Sequence, residues 1–186
     1  MPLSSEISAI REAVGIRSLV LIGMMGVGKT SIGKRLAARL QFPFLDTDKA
    51  VEEAAHLSVS DIFDIYGEAA FRDCERRVIA RILQTPRQVV ALGGGAWKDT
   101  RTRAVVEANA ISIWLDADLA TLVGRVQRRT TRPLLQNANP VSVIVALDHE
   151  RRPIYSLADI HLKVGHGSHN CVVDNLIHAL GRHLGT

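Results

Sequence analysis

The sequence predicts an α/β fold with a parallel β-sheet, because short apolar segments alternate along the chain with longer segments typical of helices. The clearest strand is Ser18–Ile22, an apolar run that ends in a glycine-rich segment, as buried parallel strands often do. The next segment is rich in Ala, Leu, Arg and Lys and predicts a helix from Lys29 to Leu40. The remaining predicted strands are Pro43–Asp46, Gln88–Leu92, Ala110–Leu115 and Asp159–Val164.

The composition limits the classes of function. The chain has 186 residues, 47% of them hydrophobic, which is enough for one domain with a substantial core. The formal net charge of +4 suits a site for anionic ligands but is below the excess typical of nucleic-acid-binding proteins, and an aromatic content of 4% leaves few rings to stack on bases. No apolar segment reaches the roughly 20 residues of a membrane span. We therefore expect a cytoplasmic protein that binds neither nucleic acid nor membrane. Because no separate interface element is visible in the sequence, we expect a monomer.

The N-terminal segment carries less information. Residues 1–17 form a predicted N-terminal extension, in which Ile7, Ile10 and Val14 have helical spacing. This pattern fits either a short amphipathic helix packed on the domain or a loosely held segment. Residues 18–186 form the predicted single domain.

The cysteines, Cys74 and Cys171, lie far apart and outside any metal-binding motif, so we expect both to be reduced.

A phosphate-binding loop is the strongest motif in the sequence. Residues 23–30, GMMGVGKT, match the pattern G-x-x-x-x-G-K-[ST] between a predicted strand and a predicted helix. Glycines let such a loop wrap its N–H groups around phosphate oxygens, while the lysine reaches the β- and γ-phosphates and the hydroxyl of the last residue binds a metal ion. The predicted nucleotide-binding residues here are Gly26, Val27, Gly28, Lys29, Thr30 and Ser31.

Two carboxylates, Asp46 and Asp48, follow the second predicted strand, at the sheet edge where ligands of parallel sheets bind. In an extended segment they would share one face. One carboxylate could hold the water shell of Mg²⁺, while the other accepts a hydrogen bond from a substrate hydroxyl and orients it for in-line attack. The alternative is an ordinary surface turn in which an aspartate caps a helix.

Three further segments have both a functional and a simpler interpretation. Arg72 and Glu75 can pair on a helix, either beside a ligand or as a solvated ion pair of little energetic value. The consecutive glycines 93–95 either let the backbone approach a ligand or form a flexible turn. The arginine-rich segment 125–140 is either a solvated charged run or a lid that closes over a nucleotide, and one of the adjacent arginines Arg151 and Arg152 could clamp a carboxylate.

The ordered set GMMGVGKT, DTD, FRDCE, GGG, RPLL and ERRPIY resembles the shikimate kinases. The resemblance extends over about residues 18–184 and implies a nucleoside-monophosphate-kinase-like P-loop fold, with a five-stranded parallel sheet in a three-layer α/β/α arrangement and a mobile lid. It also implies the activity: transfer of the γ-phosphate of ATP to the 3-hydroxyl of shikimate, a step toward chorismate and aromatic amino acids.

The resemblance implies a role for individual residues. The residue matching Asp48 contacts the attacking hydroxyl, and those matching Arg72 and Arg151 hold the shikimate carboxylate. Lys29 and Arg132 match residues that stabilise the transferred phosphoryl group, and Asp46 belongs to the magnesium water shell. The other expected contacts are Gly93, Gly94, Gly95, Phe63 and Phe71 to shikimate, Arg125 to adenine, Glu75 to Arg72, and Thr30 to Mg²⁺.

Two segments depart from the family pattern. Ala91 stands where the family often has Ser or Thr, so we expect Mg²⁺ to rely on Thr30, Asp46 and water. The segment 165–170, GHGSHN, also lacks the sequence typical of the family's adenine loop. The alternatives to shikimate phosphorylation are a related kinase, for example one for gluconate, and a nucleotide-binding interaction module without activity.

Overall fold

Five parallel strands form the sheet on which the rest of the chain is arranged. The computed structural model describes residues 2–127, 140–165 and 167–186. In chain order the elements are α1 Pro2–Val14, β1 Ser18–Ile22, α2 Lys29–Leu40, β2 Phe44–Asp46, α3 Thr47–Ala55, α4 Val59–Ile82, β3 Val89–Ala91, a 3₁₀ turn Ala96–Lys98, α5 Thr100–Asn109, β4 Ala110–Asp116, α6 Leu119–Gln127, α7 Pro140–Tyr155, β5 Ile160–Lys163 and α8 His169–Leu184.

The strand order is β2-β3-β1-β4-β5, and every neighbouring pair is parallel. All residues of β1 and β4 are buried, because helices cover both faces of the central strands. This confirms the predicted α/β class with its five-stranded parallel sheet. The order places the carboxyl ends of β1, β2 and β3 side by side, so the segments that follow these strands meet at one edge.

Helix α4 is interrupted within its length. Gly67 has φ 79° and ψ 171°, a conformation outside the helical region that other residues rarely adopt. The part after Gly67 carries Phe71, Arg72 and Glu75, so the change of direction at Gly67 sets how these side chains approach the sheet edge. None of the helices in the described part of the chain is long and apolar enough to cross a membrane.

Helix α1 packs against α8 and contributes Ile10 and Val14 to the hydrophobic core. The helical alternative for the N-terminal residues is therefore the one observed. Oε1 of Glu6 lies 2.8 Å from Nδ1 of His178 on α8, within hydrogen-bonding distance. Ile16, which follows the helix, is 80% exposed.

We predict that Ile10→Ala lowers the free energy of unfolding by about 2–5 kcal/mol, because it leaves a cavity where the wild-type side chain is fully buried. Ile16→Ala is the matched control and should change the value by about 0.5 kcal/mol or less, since its side chain is in water. Urea denaturation of the full chain measures both. Equal effects of the two substitutions would show that α1 does not belong to the folded core.

Candidate active site

The phosphate-binding loop runs from Gly23 to Thr30 between β1 and α2. Gly23 has φ 137°, and a Cβ there would lie 2.5 Å from the carbonyl oxygen of Leu115. Gly28, which caps α2, has φ 105°. Glycine is therefore required at both positions, and the loop brings its backbone and the N-terminus of α2 to the edge of the sheet.

Two basic side chains hydrogen-bond to this loop. Lys29 donates from Nζ to the carbonyl oxygens of Gly23 at 2.7 Å and Met24 at 3.2 Å. Arg125, at the end of α6, donates from Nη1 to the carbonyl oxygen of Val27 at 3.0 Å. Both cations thus lie on the loop whose N–H groups favour anions, which makes the region strongly attractive to phosphate.

A cavity of about 350 Å³ opens beside the loop. It brings together residues that are distant in sequence, from the phosphate loop, from the ends of β2 and β3, and from α6 and α8. The lining residues are Gly26, Gly28, Lys29, Thr30, Ser31, Asp46, Asp48, Ala91, Leu92, Gly94, Arg125 and His169. Arg132, the predicted lid arginine, lies outside the described residues.

Asp46 and Asp48 both line this cavity, but not in the way the sequence predicted. Asp46 ends β2 and is the N-cap of α3, where its Oδ1 accepts a hydrogen bond from the Asp48 backbone N–H at 3.2 Å. Asp48 is therefore in the first turn of a helix, and the prediction that the two residues share one face of an extended segment is wrong. Thr30 donates to Oδ2 of Asp46 at 2.7 Å, so the capping residue also belongs to the cavity.

The hydroxyl of Thr30, at the end of the phosphate-binding loop, is hydrogen-bonded to the carboxylate of Asp46. Oxygen is the ligand atom that hard divalent cations prefer. Ala91 of β3 is paired in register with Asp46 and adds no hydroxyl. The described residues contain no group of three His, Cys, Asp or Glu side chains that could hold a metal ion. The donor set therefore fits a divalent cation that takes its other ligands from phosphate and water.

The three glycines after β3 are required for space rather than for flexibility. None of them has a positive φ. A Cβ on Gly93 would lie 2.5 Å from Oδ1 of Asp48 and 2.6 Å from Oε1 of Glu75. A Cβ on Gly94 would lie 3.3 Å from Nη1 of Arg151, and one on Gly95 would lie 2.6 Å from Nη2 of Arg72. The missing side chains therefore leave room for four charged groups.

The N–H groups of this segment are only partly available to a ligand. Gly93 donates its N–H to Oγ1 of Thr47 at 2.9 Å, so this donor is already used within the protein. Thr47 is fully buried in α3, and the bond fixes the glycine segment to the element that carries Asp48. Sequence reasoning did not single out Thr47.

Arg72 and Glu75 are not a solvated surface pair. Glu75 is only 3% exposed, and its Oε2 accepts a hydrogen bond from Nη1 of Arg72 at 2.7 Å. Arg72 also contacts exposed Glu68 and lies over the ring of Phe71, with 5.0 Å between Cζ and the ring centroid. The arginine is thus held by a buried carboxylate, an exposed carboxylate and an aromatic ring.

Arg151 lies opposite, at the end of α7. It is 6% exposed and donates from Nη1 to the carbonyl oxygen of Gly94 at 3.0 Å, and Tyr155 donates to the same oxygen at 2.6 Å. Within the described ranges, no carboxylate forms an ion pair with Arg151 and its Nε has no hydrogen-bond partner. A buried guanidinium without a carboxylate is costly, and an anionic ligand would relieve that cost.

A second cavity, of about 290 Å³, lies on the arginine side of the glycine segment. Its lining residues are Glu68, Arg72, Glu75, Lys98, Asp99, Thr102 and Arg151. The predicted pocket residues Phe63 and Phe71 pack together nearby with 4.6 Å between their ring centroids, and Phe71 is buried behind Arg72. Arg151, which lines this cavity, donates to Gly94, which lines the first, so the two cavities adjoin at the glycine segment and together form the candidate site.

His169 is the residue of the first cavity that sequence reasoning missed. It is the first residue of α8, and its Nε2 lies 3.8 Å from the position that a Cβ would take on Gly28. It lies within the segment 165–170, whose sequence departs from the family pattern, and histidine spacing alone gave no signal. Ser168 caps α8 by accepting from the N–H of Cys171 at 3.3 Å, which fixes His169 at the cavity.

A phosphate loop, two carboxylates and two arginines at one edge of a parallel sheet define a P-loop kinase. Comparison with known proteins identifies the family. A family model described as shikimate kinase matches residues 25–181. Shikimate kinase of Novosphingobium aromaticivorans is 46% identical over 185 residues, which is 97% of this chain and 95% of that protein.

Solved structures agree. Shikimate kinase from Acinetobacter baumannii, in complex with shikimate, has a TM-score of 0.84 and 29% identity, over 90% of this chain and 94% of that one. A gluconokinase from Sinorhizobium meliloti has a TM-score of 0.58 and 18% identity, over 91% of this chain and 94% of that one, and shares the fold. The chain belongs to the shikimate kinase family.

We predict that Glu75 makes the protein less stable as the pH rises. Burial raises the pKa of the Glu75 carboxyl above its ordinary value of 4.5, and Arg72 offsets only part of this effect. The folded state therefore holds the proton more tightly than the unfolded state, and the contribution of Glu75 falls from pH 4.5 upward until the folded-state pKa is passed.

Urea denaturation from pH 4.5 to 8 measures this effect as the difference between wild type and Glu75→Gln in free energy of unfolding. The advantage of wild type should shrink as the pH rises, because glutamine does not titrate. Glu68→Gln, which removes the exposed partner of the same arginine, is the matched control and should follow wild type across the range. A difference for Glu75→Gln that is constant or grows with pH contradicts the prediction.

Proposed function

We propose that this protein transfers the γ-phosphoryl group of ATP to the 3-hydroxyl of shikimate, giving shikimate 3-phosphate and ADP. The observation that carries the proposal is the pair of guanidinium groups, Arg72 and Arg151, packed against the glycine segment between the phosphate loop and Asp48. Family membership and the shikimate complex of the Acinetobacter relative support it.

The acceptor side recognises a carboxylate and a hydroxyl. Arg151 is buried without a carboxylate partner among the described residues, and Arg72 presents its fork beside Gly95, so a planar carboxylate can pair with both. Asp48, on the other side of Gly93, accepts the hydrogen bond of the attacking hydroxyl and orients it toward the phosphate loop. Phe63 and Phe71 are proposed as the apolar wall of the same pocket.

The nucleotide side follows the phosphate loop. Residues 26–31 bind the phosphates, Arg125 flanks the adenine, and Lys29 and Arg132 stabilise the charge of the transferred group. Thr30 and, through water, Asp46 would hold Mg²⁺, which would neutralise phosphate charge when bound. Because the transfer is direct, no residue has to act as a covalent nucleophile.

Several parts of this account remain predictions of the sequence. They are the division into residues 1–17 and 18–186, the lid at about 125–140, the cytoplasmic location and the monomeric state. We add His169 to the proposed nucleotide site, because its ring lies beside Gly28 and lines the first cavity.

A coupled ADP-release assay with Mg·ATP tests the proposal, with shikimate, gluconate or no acceptor. We expect turnover of about 1–100 s⁻¹ with shikimate and none above background with gluconate. Asp48→Asn should lower kcat by about 10²–10⁴, because it removes the acceptor of the hydroxyl proton. The matched control is Asp64→Asn, whose side chain is exposed on α4. Preference for gluconate would overturn the acceptor assignment, and ATP binding without turnover would favour an interaction module.

A further inference from the structure

A cluster of charged and aromatic side chains lies beside α7, outside the two cavities. Arg152 is its centre and pairs with Asp116 at the end of β4, with 2.9 Å between Nη2 and Oδ1. It also pairs with Asp148, one turn earlier on α7, with 3.1 Å between Nε and Oδ2. Both carboxylates are almost fully buried, so these pairs are better shielded from water than surface ion pairs.

Aromatic contacts complete the cluster. The ring of His161, on β5, stacks on Trp114 of β4 with 4.1 Å between centroids, and its Nε2 lies 2.9 Å from Oδ2 of Asp116. Arg152 also lies over the Trp114 ring, with 5.3 Å between its Cζ and the ring centroid. The side chain of Arg152 is thus fixed by the end of β4 and by its own helix.

The final turn of α7 needs such anchors. Pro153 lies inside this turn, and a proline removes one hydrogen bond of the helix and crowds the preceding turn. Side-chain bonds connect this turn to the glycine segment and to the 3₁₀ turn: Trp97 donates to the carbonyl oxygen of Ile154 at 3.0 Å, and Tyr155 donates to that of Gly94. Arg151 belongs to the same turn and lacks a carboxylate partner of its own among the described residues.

We propose that Arg152, held by Asp116 and Asp148, is a positioning residue that fixes the guanidinium of Arg151 for the substrate carboxylate. Arg151 and Arg152 are adjacent, so a shift of the last turn of α7 moves both. The ion pairs of Arg152 tie this turn to the carboxyl end of β4, while Arg151 reaches across to Gly94. The inference rests on the proposed function, because it assigns the carboxylate of the acceptor to Arg151.

Steady-state kinetics with two acceptors tests this inference: shikimate and its carboxamide, which keeps the ring hydroxyls but has no negative charge. In Arg152→Met the ion pairs are lost while much of the apolar stem remains. We expect the KM for shikimate to rise about tenfold, with kcat and the KM for ATP within about threefold of wild type, because the carboxylate clamp is displaced. The ratio of kcat/KM for the acid to that for the amide should fall about tenfold.

Three further variants separate positioning from general stability. Arg39→Met is the matched control, since Arg39 is 39% exposed, like Arg152 at 41%, and pairs with Asp174 far from the site. It should leave the acid-to-amide ratio within about twofold. Arg152→Lys keeps the charge but not the fork, so it should restore part of the ratio. Asp116→Asn should lower it in the same direction and serves if Arg152→Met does not fold.

An equal loss for acid and amide, or an unchanged ratio in folded Arg152 variants, overturns the inference even if wild type phosphorylates shikimate. If wild type does not phosphorylate shikimate, the proposed function fails, and the inference fails with it. The two failures are distinguishable because the first is read from variants of an active enzyme and the second from wild type alone.

Discussion

The candidate site depends on the absence of side chains at three consecutive positions. Asp48, Glu75, Arg72 and Arg151 come from three different helices, and each approaches the backbone of residues 93–95 so closely that a Cβ would collide with it or press on it. Charged groups interact strongly in a medium of low polarity, so the distances between them must be fixed. The glycine segment fixes it by backbone contact, and β3 holds that segment at the sheet edge.

Burial gives these charges their chemical character. Glu75 is buried beside Arg72, and its carboxylate sets the direction of that guanidinium. Arg151 is buried with carbonyl and hydroxyl partners but no carboxylate among the described residues, so its charge is available to a ligand. An acid with a hydroxyl at the proper distance can therefore satisfy Arg151 while it presents its oxygen to Asp48. The same arrangement would be unfavourable for a neutral ligand.

Most of the fold could be predicted from the sequence. The five strands were predicted within one or two residues, because each is a short apolar run and the central ones are covered on both faces. The phosphate loop could be predicted because its function requires specific residue types at fixed spacing. At Asp46 the sequence left two interpretations open, and the helix cap is the one observed: Asp46 ends β2 and caps α3, which begins at Thr47. Periodicity does not distinguish these states over three residues.

Other features depend on contacts between distant segments. Glu75 has the sequence context of a surface ion pair, and only the packing of α4 against the sheet edge buries it. The glycines allowed two interpretations, and the positions of four side chains from three helices support close packing. Thr47 and His169 gave no signal, because each acts through one neighbour that lies far along the chain.

Calorimetric titration of Gly95→Ala with shikimate would test most directly whether the site requires this space. A Cβ at residue 95 would lie 2.6 Å from Nη2 of Arg72, whereas one at Gly165 would meet no atom within 4 Å, so Gly165→Ala is the matched control. Crowding of about 1–3 kcal/mol at Arg72 predicts that Gly95→Ala lowers thermal stability relative to the control and weakens shikimate binding roughly tenfold or more, with ATP affinity close to that of the control. Shikimate affinity equal to wild type in folded Gly95→Ala would contradict the account.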